Sequence, residues 1–204
     1  DPVWGDEIEF VANITDSRDD SAVLGGSVNI TLGGVVYELV ELGEGLYGRN
    51  LTSSVVSAGE YTVTVAFELE DHEDRSRDFS IRIEKAAATL SADIAPVIAV
   101  NGQNLTLSAE YIVTENSTSI AVGTVTFSWT YGQGTLSWNE TQEQYIGHFI
   151  LSDIPAGNHL IVISAKSANY KSLTAPLNIE IREVTTQIVS VEDTTVVSGI
   201  IGDI

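Results

Sequence analysis

The sequence predicts an all-β protein made of two tandem antiparallel β-sandwiches followed by a C-terminal extended strand. Three observations support this: apolar and polar residues alternate with a period of two, the alternating runs recur in the same order in both halves, and Gly and Asp clusters separate them. No stretch has the 3.6-residue period of an amphipathic helix. Side chains two positions apart share a face, so each run has one core face and one solvent face.

The alternating runs of the two halves correspond one to one. In the first half they occupy residues 8–15, 28–32, 61–68 and 79–84, and in the second half 105–111, 125–129, 157–165 and 177–181. Ala58-Gly59-Glu60-Tyr61 parallels Ala156-Gly157-Asn158-His159 at an offset of 98 residues. An offset of this size is typical of one small β-sandwich domain repeated in tandem.

The repeat divides the chain into residues 1–85, 86–184 and 185–204. The boundary at Glu84-Lys85-Ala86-Ala87-Ala88 is short and lacks Gly and Pro, which predicts a stiff joint. The second domain has an opening strand before residue 104, and we expect the first domain, which starts near Trp4, to lack its counterpart. Residues 185–204 are then an orphan opening strand of a next repeat, or a donor strand that completes the open edge of another copy.

Charge and composition exclude several classes of partner and site. The net charge of −20, with only 9 basic residues, argues against nucleic acid as a partner. The absence of Cys excludes disulfides, zinc–thiolate sites and thiol catalysis. No apolar run reaches the roughly 18 residues that span a bilayer, so no direct membrane insertion is expected in this segment. No signal peptide is recognisable, and we expect the targeting signal and any anchor to lie outside the segment.

The sequence offers no catalytic constellation. Its three His residues are dispersed, and no nucleophile elbow, zinc-protease motif, phosphate loop or dinucleotide fingerprint is present. We therefore predict a non-catalytic protein with no catalytic residues and no required cofactor.

Two acidic loops are the only candidate metal site, and calcium is the ion they suit. They should lie at the same pole of the first sandwich, where carboxylate oxygens could gather around Ca²⁺. The alternative is an ordinary solvated acidic surface, which Arg18 and Arg75 partly neutralise. The candidate ligands are Asp16, Asp19, Asp20, Glu70, Asp71, Glu73 and Asp74.

Asn-x-Ser/Thr sequons are more frequent than chance predicts, since six of the ten Asn residues stand in one. This excess favours a glycosylated extracellular surface. The alternative is that Thr-rich strands generate Asn-x-Thr without any modification. The candidate glycosylation sites are Asn13, Asn29, Asn50, Asn104, Asn116 and Asn139.

Two local features, together with the repeat, carry a family resemblance. Trp129 in an early strand of the second half and Gly59-Glu60-Tyr61 at the start of a late strand of the first resemble features of immunoglobulin-like domains. The chain is similar to the tandem immunoglobulin-like modules of bacterial and archaeal cell-surface proteins of the adhesin or surface-layer type. The resemblance implies an extracellular location at the cell surface, a spacer or stalk role, and no catalytic residues.

Three functions remain open from the sequence. The chain is a structural or adhesive spacer whose partners are neighbouring immunoglobulin-like domains, a filament or pilus-like subunit that donates its C-terminal strand to other copies of itself, or a module that binds surface glycans or proteins. The third function requires exposed aromatic residues. The candidates for these are Trp4, Trp138 and Tyr170.

Overall fold

The computed structural model describes residues 1–184, and the predicted C-terminal strand over 185–204 lies outside the described residues. Residues 1–184 form fourteen β-strands and one short 3₁₀ turn over Ser53–Val55, which confirms the all-β prediction. No helix within residues 1–184 has the length and apolar character that crossing a membrane requires.

The first half contains six strands in one hydrogen-bonded order, β1-β4-β3-β2-β5-β6. Its neighbouring strands are all antiparallel, with β1 and β6 at the two ends of the order. The strands are β1 Glu7–Asn13, β2 Ser27–Leu32, β3 Val35–Gly43, β4 Leu46–Thr52, β5 Gly59–Glu68 and β6 Arg75–Ile83.

The second half repeats this arrangement with two additional strands, in the order β7-β9-β12-β11-β10-β13-β14-β8. Strand β9 corresponds to β1, and β7 covers its outer edge, while the short β8 runs parallel to β14. The strands are β7 Ala88–Ala95, β8 Ile98–Val100, β9 Asn104–Val113, β10 Thr124–Trp129, β11 Gly132–Asn139, β12 Gln144–Ile150, β13 Gly157–Lys166 and β14 Leu173–Arg182.

Each half encloses its own apolar cluster. The buried members of one cluster lie between Phe10 and Phe67, and those of the other lie between Ile94 and Ile181. The inward residues are those that the alternation of apolar and polar residues predicts, such as Val28 and Ile30 on β2, or Leu105 and Leu107 on β9. This distribution is what a domain boundary at residue 85 requires, and independent folding of the two halves remains a prediction.

A buried tyrosine in each half is hydrogen-bonded to the loop that precedes β2 or β10. The Tyr145 hydroxyl on β12 donates to the Ile120 carbonyl at 2.7 Å and accepts from the Gly123 N–H at 2.9 Å. Tyr47 on β4 makes the corresponding bonds to the Val23 carbonyl and from the Gly26 N–H, at 3.3 and 3.2 Å. In the first half the phenol therefore holds the segment before β2 against β4, and in the second half it holds the segment before β10 against β12.

The N-terminal segment of the first half takes the place that β8 has in the second half. Val3 forms a parallel bridge with Glu84, and the Trp4 N–H donates to the Glu84 carbonyl at 2.8 Å, as β8 pairs with β14 in the second half. Among residues 1–184, however, β1 has no partner on its outer edge. Within residues 1–184 the first half therefore contains no counterpart of β7.

Candidate functional site: the junction between the two halves

The linker between the halves is hydrogen-bonded to the turn that joins β13 to β14. The Ala86 N–H donates to the Asn169 carbonyl at 2.9 Å, and the Lys171 N–H donates back to the Ala86 carbonyl at 3.0 Å. The Lys85 ammonium donates to the Ser167 carbonyl at 2.8 Å. Ala86 itself is buried. Lys85 and Ala86 are thus bound to the second half, whereas Glu84 is hydrogen-bonded to the N-terminal segment of the first half.

The same turn also reaches the first half through two side chains. The Asn169 Oδ1 accepts a hydrogen bond from the Ala58 N–H at 3.0 Å. The Tyr170 ring meets the Trp4 ring edge-on, with centroids 5.3 Å apart, and the Trp4 Nε1–H donates to the Val56 carbonyl at 2.9 Å. Trp4 and Tyr170, predicted as exposed binding aromatics, are therefore half-buried against each other at the junction.

Ser53 holds the N-terminal segment that carries Trp4. Its Oγ donates to the Val3 carbonyl at 2.9 Å and accepts from the Gly5 N–H at 2.7 Å, and the residue is fully buried. Sequence reasoning found the linker but missed Ser53 and Asn169. Nothing in their sequence neighbourhood marks them, because their role depends on contacts between segments about 50 and 110 residues apart.

The two acidic loops meet at the opposite pole of the first half, as predicted. Asp16, Asp71 and Glu73 line one depression of about 540 Å³ together with Arg18 and Arg75. The Arg18 guanidinium, at 2.9 Å from the Asp16 Oδ1, holds the pKa of that carboxyl well below its usual range. This depression is not lined by the other predicted ligands, which are Asp19, Asp20, Glu70 and Asp74.

The calcium site remains a prediction. Across residues 1–184 no group of three or more Asp, Glu or His residues has an arrangement that could hold a metal ion. Asp16 is paired with Arg18, and Glu73 with Arg75, so cations of the chain already satisfy part of the acidic pole.

All six sequons lie at the surface. Four of the Asn residues are exposed, while Asn29 on β2 and Asn139 at the end of β11 are half-buried. The Asn116 and Asn139 side-chain oxygens accept hydrogen bonds from the Thr118 and Thr141 N–H groups at 3.0 Å. These bonds engage the side-chain oxygen and not the amide nitrogen, where a glycan attaches. Glycosylation remains a prediction that this placement permits.

Trp138, the third predicted binding aromatic, packs inward. Its half-buried ring meets the Tyr145 ring at a centroid distance of 5.2 Å. The residue also borders a shallow polar depression of about 700 Å³ on the outer face of β9, β11 and β12. The depression includes Thr106, Ser108, Thr135, Ser137, Gln144 and His148.

Comparison with known proteins identifies the fold. No protein-family model and no curated protein matches the chain. The adhesin InvE of Yersinia pseudotuberculosis is similar, with a TM-score of 0.54, 15% identity, and coverage of 87% of this chain and 55% of that chain. A tetra-tandem repeat from the extending region of a large adhesion protein has a TM-score of 0.49 and 16% identity, over 87% of this chain and 50% of that chain.

An amphioxus IgVJ-C2 molecule is a third similar structure, with a TM-score of 0.41 and 13% identity over 87% of this chain and 98% of that chain. Of the three, the InvE likeness alone exceeds a TM-score of 0.5, and at 15% identity it shows the fold and nothing more. The predicted tandem immunoglobulin-like β-sandwich, and its resemblance in fold to bacterial adhesin modules, are confirmed. The chain spans about half the length of the InvE chain.

Proposed function

We propose that this chain is a non-catalytic extracellular spacer that holds neighbouring parts of a cell-surface protein at a fixed distance. The observation that carries the proposal is the junction, where one turn binds the linker and the first half at once. The adhesin-like fold and the surface placement of six sequons support the extracellular location.

The contacts at the junction favour a stiff connection. Relative motion is the default for two domains joined by a small interface. Here Ala58 and Trp4 of the first half contact Asn169 and Tyr170 of the second. Each hydrogen bond stabilises by about 0.5–1.5 kcal/mol, and an aromatic edge contact by a similar amount. Together these energies are several times RT, so we expect one orientation to dominate.

The decisive measurement is the distribution of distances between the halves in solution. Because the chain contains no Cys, spin labels can be attached at Thr62→Cys on β5 and Thr135→Cys on β11, both exposed positions. Electron–electron double resonance should give one narrow distance distribution. Replacing Asn169 and Tyr170 with Ala should broaden it, because these two side chains make the contacts of the β13–β14 turn to Ala58 and Trp4 of the first half.

The matched control is Asn178→Ala, an exposed residue on β14 away from the junction. We expect this variant to keep the narrow distribution. A broad distribution in the unmodified chain, or no broadening when Asn169 and Tyr170 are removed, would contradict a rigid spacer.

Glycan binding is a second candidate function, favoured by the polar depression that Trp138 borders. Hydroxyl, amide and imidazole groups are suited to hydrogen-bonding a sugar. A glycan array followed by calorimetry on His148→Ala and Gln144→Ala tests it. A hit that both variants weaken supports this candidate, whereas an array without hits leaves the spacer.

A further inference from the structure

The outer edge of β1 is uncovered in a way that the second half shows to be incomplete. In the second half, β7 pairs with β9 along its whole length, from Ala88 opposite Val113 to Ala95 opposite Thr106. Strand β1 is the counterpart of β9, and its single strand partner within residues 1–184 is β4. An edge of this kind presents unpaired N–H and C=O groups to which another strand can bind.

An apolar cleft lies beside this edge. It has a volume of about 250 Å³, and it is lined by Ile8, Phe10 and Ala12 of β1 and by Phe79 and Ile81 of β6. In the second half β7 fills the corresponding place, because it packs against β14 as well as pairing with β9. Its inward side chains, among them Ile94 at 4% exposure, belong to the apolar cluster or pack on it.

The side chains around the cleft are less buried than their counterparts in the second half. Those counterparts are 0–1% exposed, whereas the residues of the first half are only half-buried. Phe79 on β6 is 42% exposed. The matched positions are Ile8 and Leu105, Ala12 and Ala109, Val65 and Ile163, and Ile81 and Ile179. Within residues 1–184, therefore, no strand covers these side chains, and β1 has no hydrogen-bond partner on this edge.

The chain carries a segment suited to this cleft. Residues 184–191, Val-Thr-Thr-Gln-Ile-Val-Ser-Val, contain no charge in a chain with 29 acidic residues, and they are rich in strand-forming residues. The 98-residue offset puts Ile188 at the place of Leu90 and Ser190 at the place of Ala92. Glu192 falls at the place of the buried Ile94, so we expect pairing to end near residue 191.

This segment cannot reach the cleft of its own chain. Strand β14 begins at Leu173, beside the junction, and ten residues of strand carry it about 30 Å further to Arg182. The three residues from 183 to 185 span at most about 11 Å. A strand donated by residues 186–191 therefore has to enter the cleft of another copy.

We propose that the β1–β6 cleft is a strand-acceptor site and that residues 186–191 of a second copy bind in it, antiparallel to β1. Main-chain hydrogen bonds to β1 supply affinity, and Ile188 against the cleft supplies specificity. Because donor and acceptor lie on different surfaces, repeated donation joins copies head to tail into an open filament. This assembly goes beyond the spacer role, since a rigid junction does not require it.

The test uses the full chain and two variants that block opposite partners. Phe79→Asp places a carboxylate in the acceptor cleft at a position that is 42% exposed, and Ile188→Asp disables the donor. In sedimentation velocity at 0.15 and 1 M NaCl, the unmodified chain should form concentration-dependent multimers. The high salt reduces repulsion between copies of net charge −20. Each variant alone should remain monomeric, with assembly at least tenfold weaker.

Mixing the two variants gives the most specific readout. Phe79→Asp retains a working donor and Ile188→Asp a working acceptor, so an equimolar mixture should form a heterodimer that grows no further. Val36→Asp, at a 63% exposed position on β3 outside the cleft, is the matched control and should assemble normally. In the heterodimer, hydrogen exchange should slow at β1 of the acceptor copy.

Three results would overturn the proposal. These are monomers at every concentration and salt, a mixture that contains no heterodimer, and multimers that both variants leave intact. None of these results bears on the spacer, which is judged by the distance distribution between the halves within one copy.

Discussion

The two halves have the same fold, but within residues 1–184 only the second has a strand that covers its outer edge, at β9. The comparison shows how such a covering strand affects the burial of the residues beneath it. Tyr47 and Tyr145 fasten the same loop, and β1 and β9 pair with their neighbours in the same way. Only β9 carries a covering strand among the described residues. Within residues 1–184 the first half has an apolar core of the six shared strands, and the residues at the place that β7 covers in the second half are more accessible.

The first half partly compensates with larger side chains. Phe10 and Phe79 take the places of Leu107 and Leu177, and their ring centroids lie 6.5 Å apart across the cleft. Aromatic rings fill more volume than leucine, so they occupy some of the space that β7 fills in the second half. Phe10 is 5% exposed, but Phe79 remains 42% exposed, so the replacement is incomplete.

The largest expected effect compares Ile179→Ala with Ile81→Ala. Ile179 is 1% exposed beneath β7, so truncation creates a closed cavity, and we expect the free energy of unfolding to fall by about 3 kcal/mol. Ile81 lines the open cleft, where solvent already reaches the side chain, and about 1 kcal/mol should be lost. Native-state hydrogen exchange at β13 and β5 measures each half separately. Equal losses in the free energy of unfolding would show that β7 does not add to the burial of Ile179.

A smaller effect is expected when each loop-fastening hydroxyl is removed. Tyr145→Phe leaves the Ile120 carbonyl and the Gly123 N–H without the phenol, so we expect a loss of about 2 kcal/mol. Tyr47→Phe removes longer bonds of 3.2–3.3 Å and should cost about 1 kcal/mol. Denaturant unfolding of both variants decides this, and a larger loss at Tyr47 would reverse the ranking.

The repeat could be read from the sequence because strand alternation and spacing are local signals. The runs beginning at Ile8 and Leu105 alternate visibly, and Ala58-Gly59-Glu60-Tyr61 has a direct counterpart 98 residues later. The same alignment predicts that residues 1–85 contain no opening strand. The pairing order of the strands follows once the fold is known.

The junction could not be predicted, because its residues are ordinary polar and aromatic types whose partners are remote in sequence. Trp4 and Tyr170 looked like exposed binding residues, and only the folded chain brings them within 5.3 Å of each other. Asn169 lies in a turn whose composition carries no signal, yet its side chain contacts Ala58 more than 100 residues away. The acidic loops were placed correctly at one pole, since strand order alone determines that proximity.

The smallest expected effect is a loss of stability of the second half at alkaline pH. Burial raises the pKa of the Tyr111 and Tyr145 phenols above their ordinary value of 10.0. A raised folded pKa means that the native state retains protons that the unfolded state releases. The stabilisation is therefore complete below about pH 10 and declines as the pH rises further.

Denaturant midpoints followed by tryptophan fluorescence between pH 8 and 11 measure this decline. Tyr145→Phe should decline less steeply than the unmodified chain above pH 10, because one of the two buried phenols is gone. Tyr131→Phe, at a 43% exposed ring, is the control and should leave the slope unchanged. If Tyr145→Phe and the unmodified chain declined in parallel, ionisation of that phenol would play no part, and the alkaline sensitivity would have to arise at Tyr111, whose hydroxyl donates to the Lys171 carbonyl at 2.8 Å beside the junction.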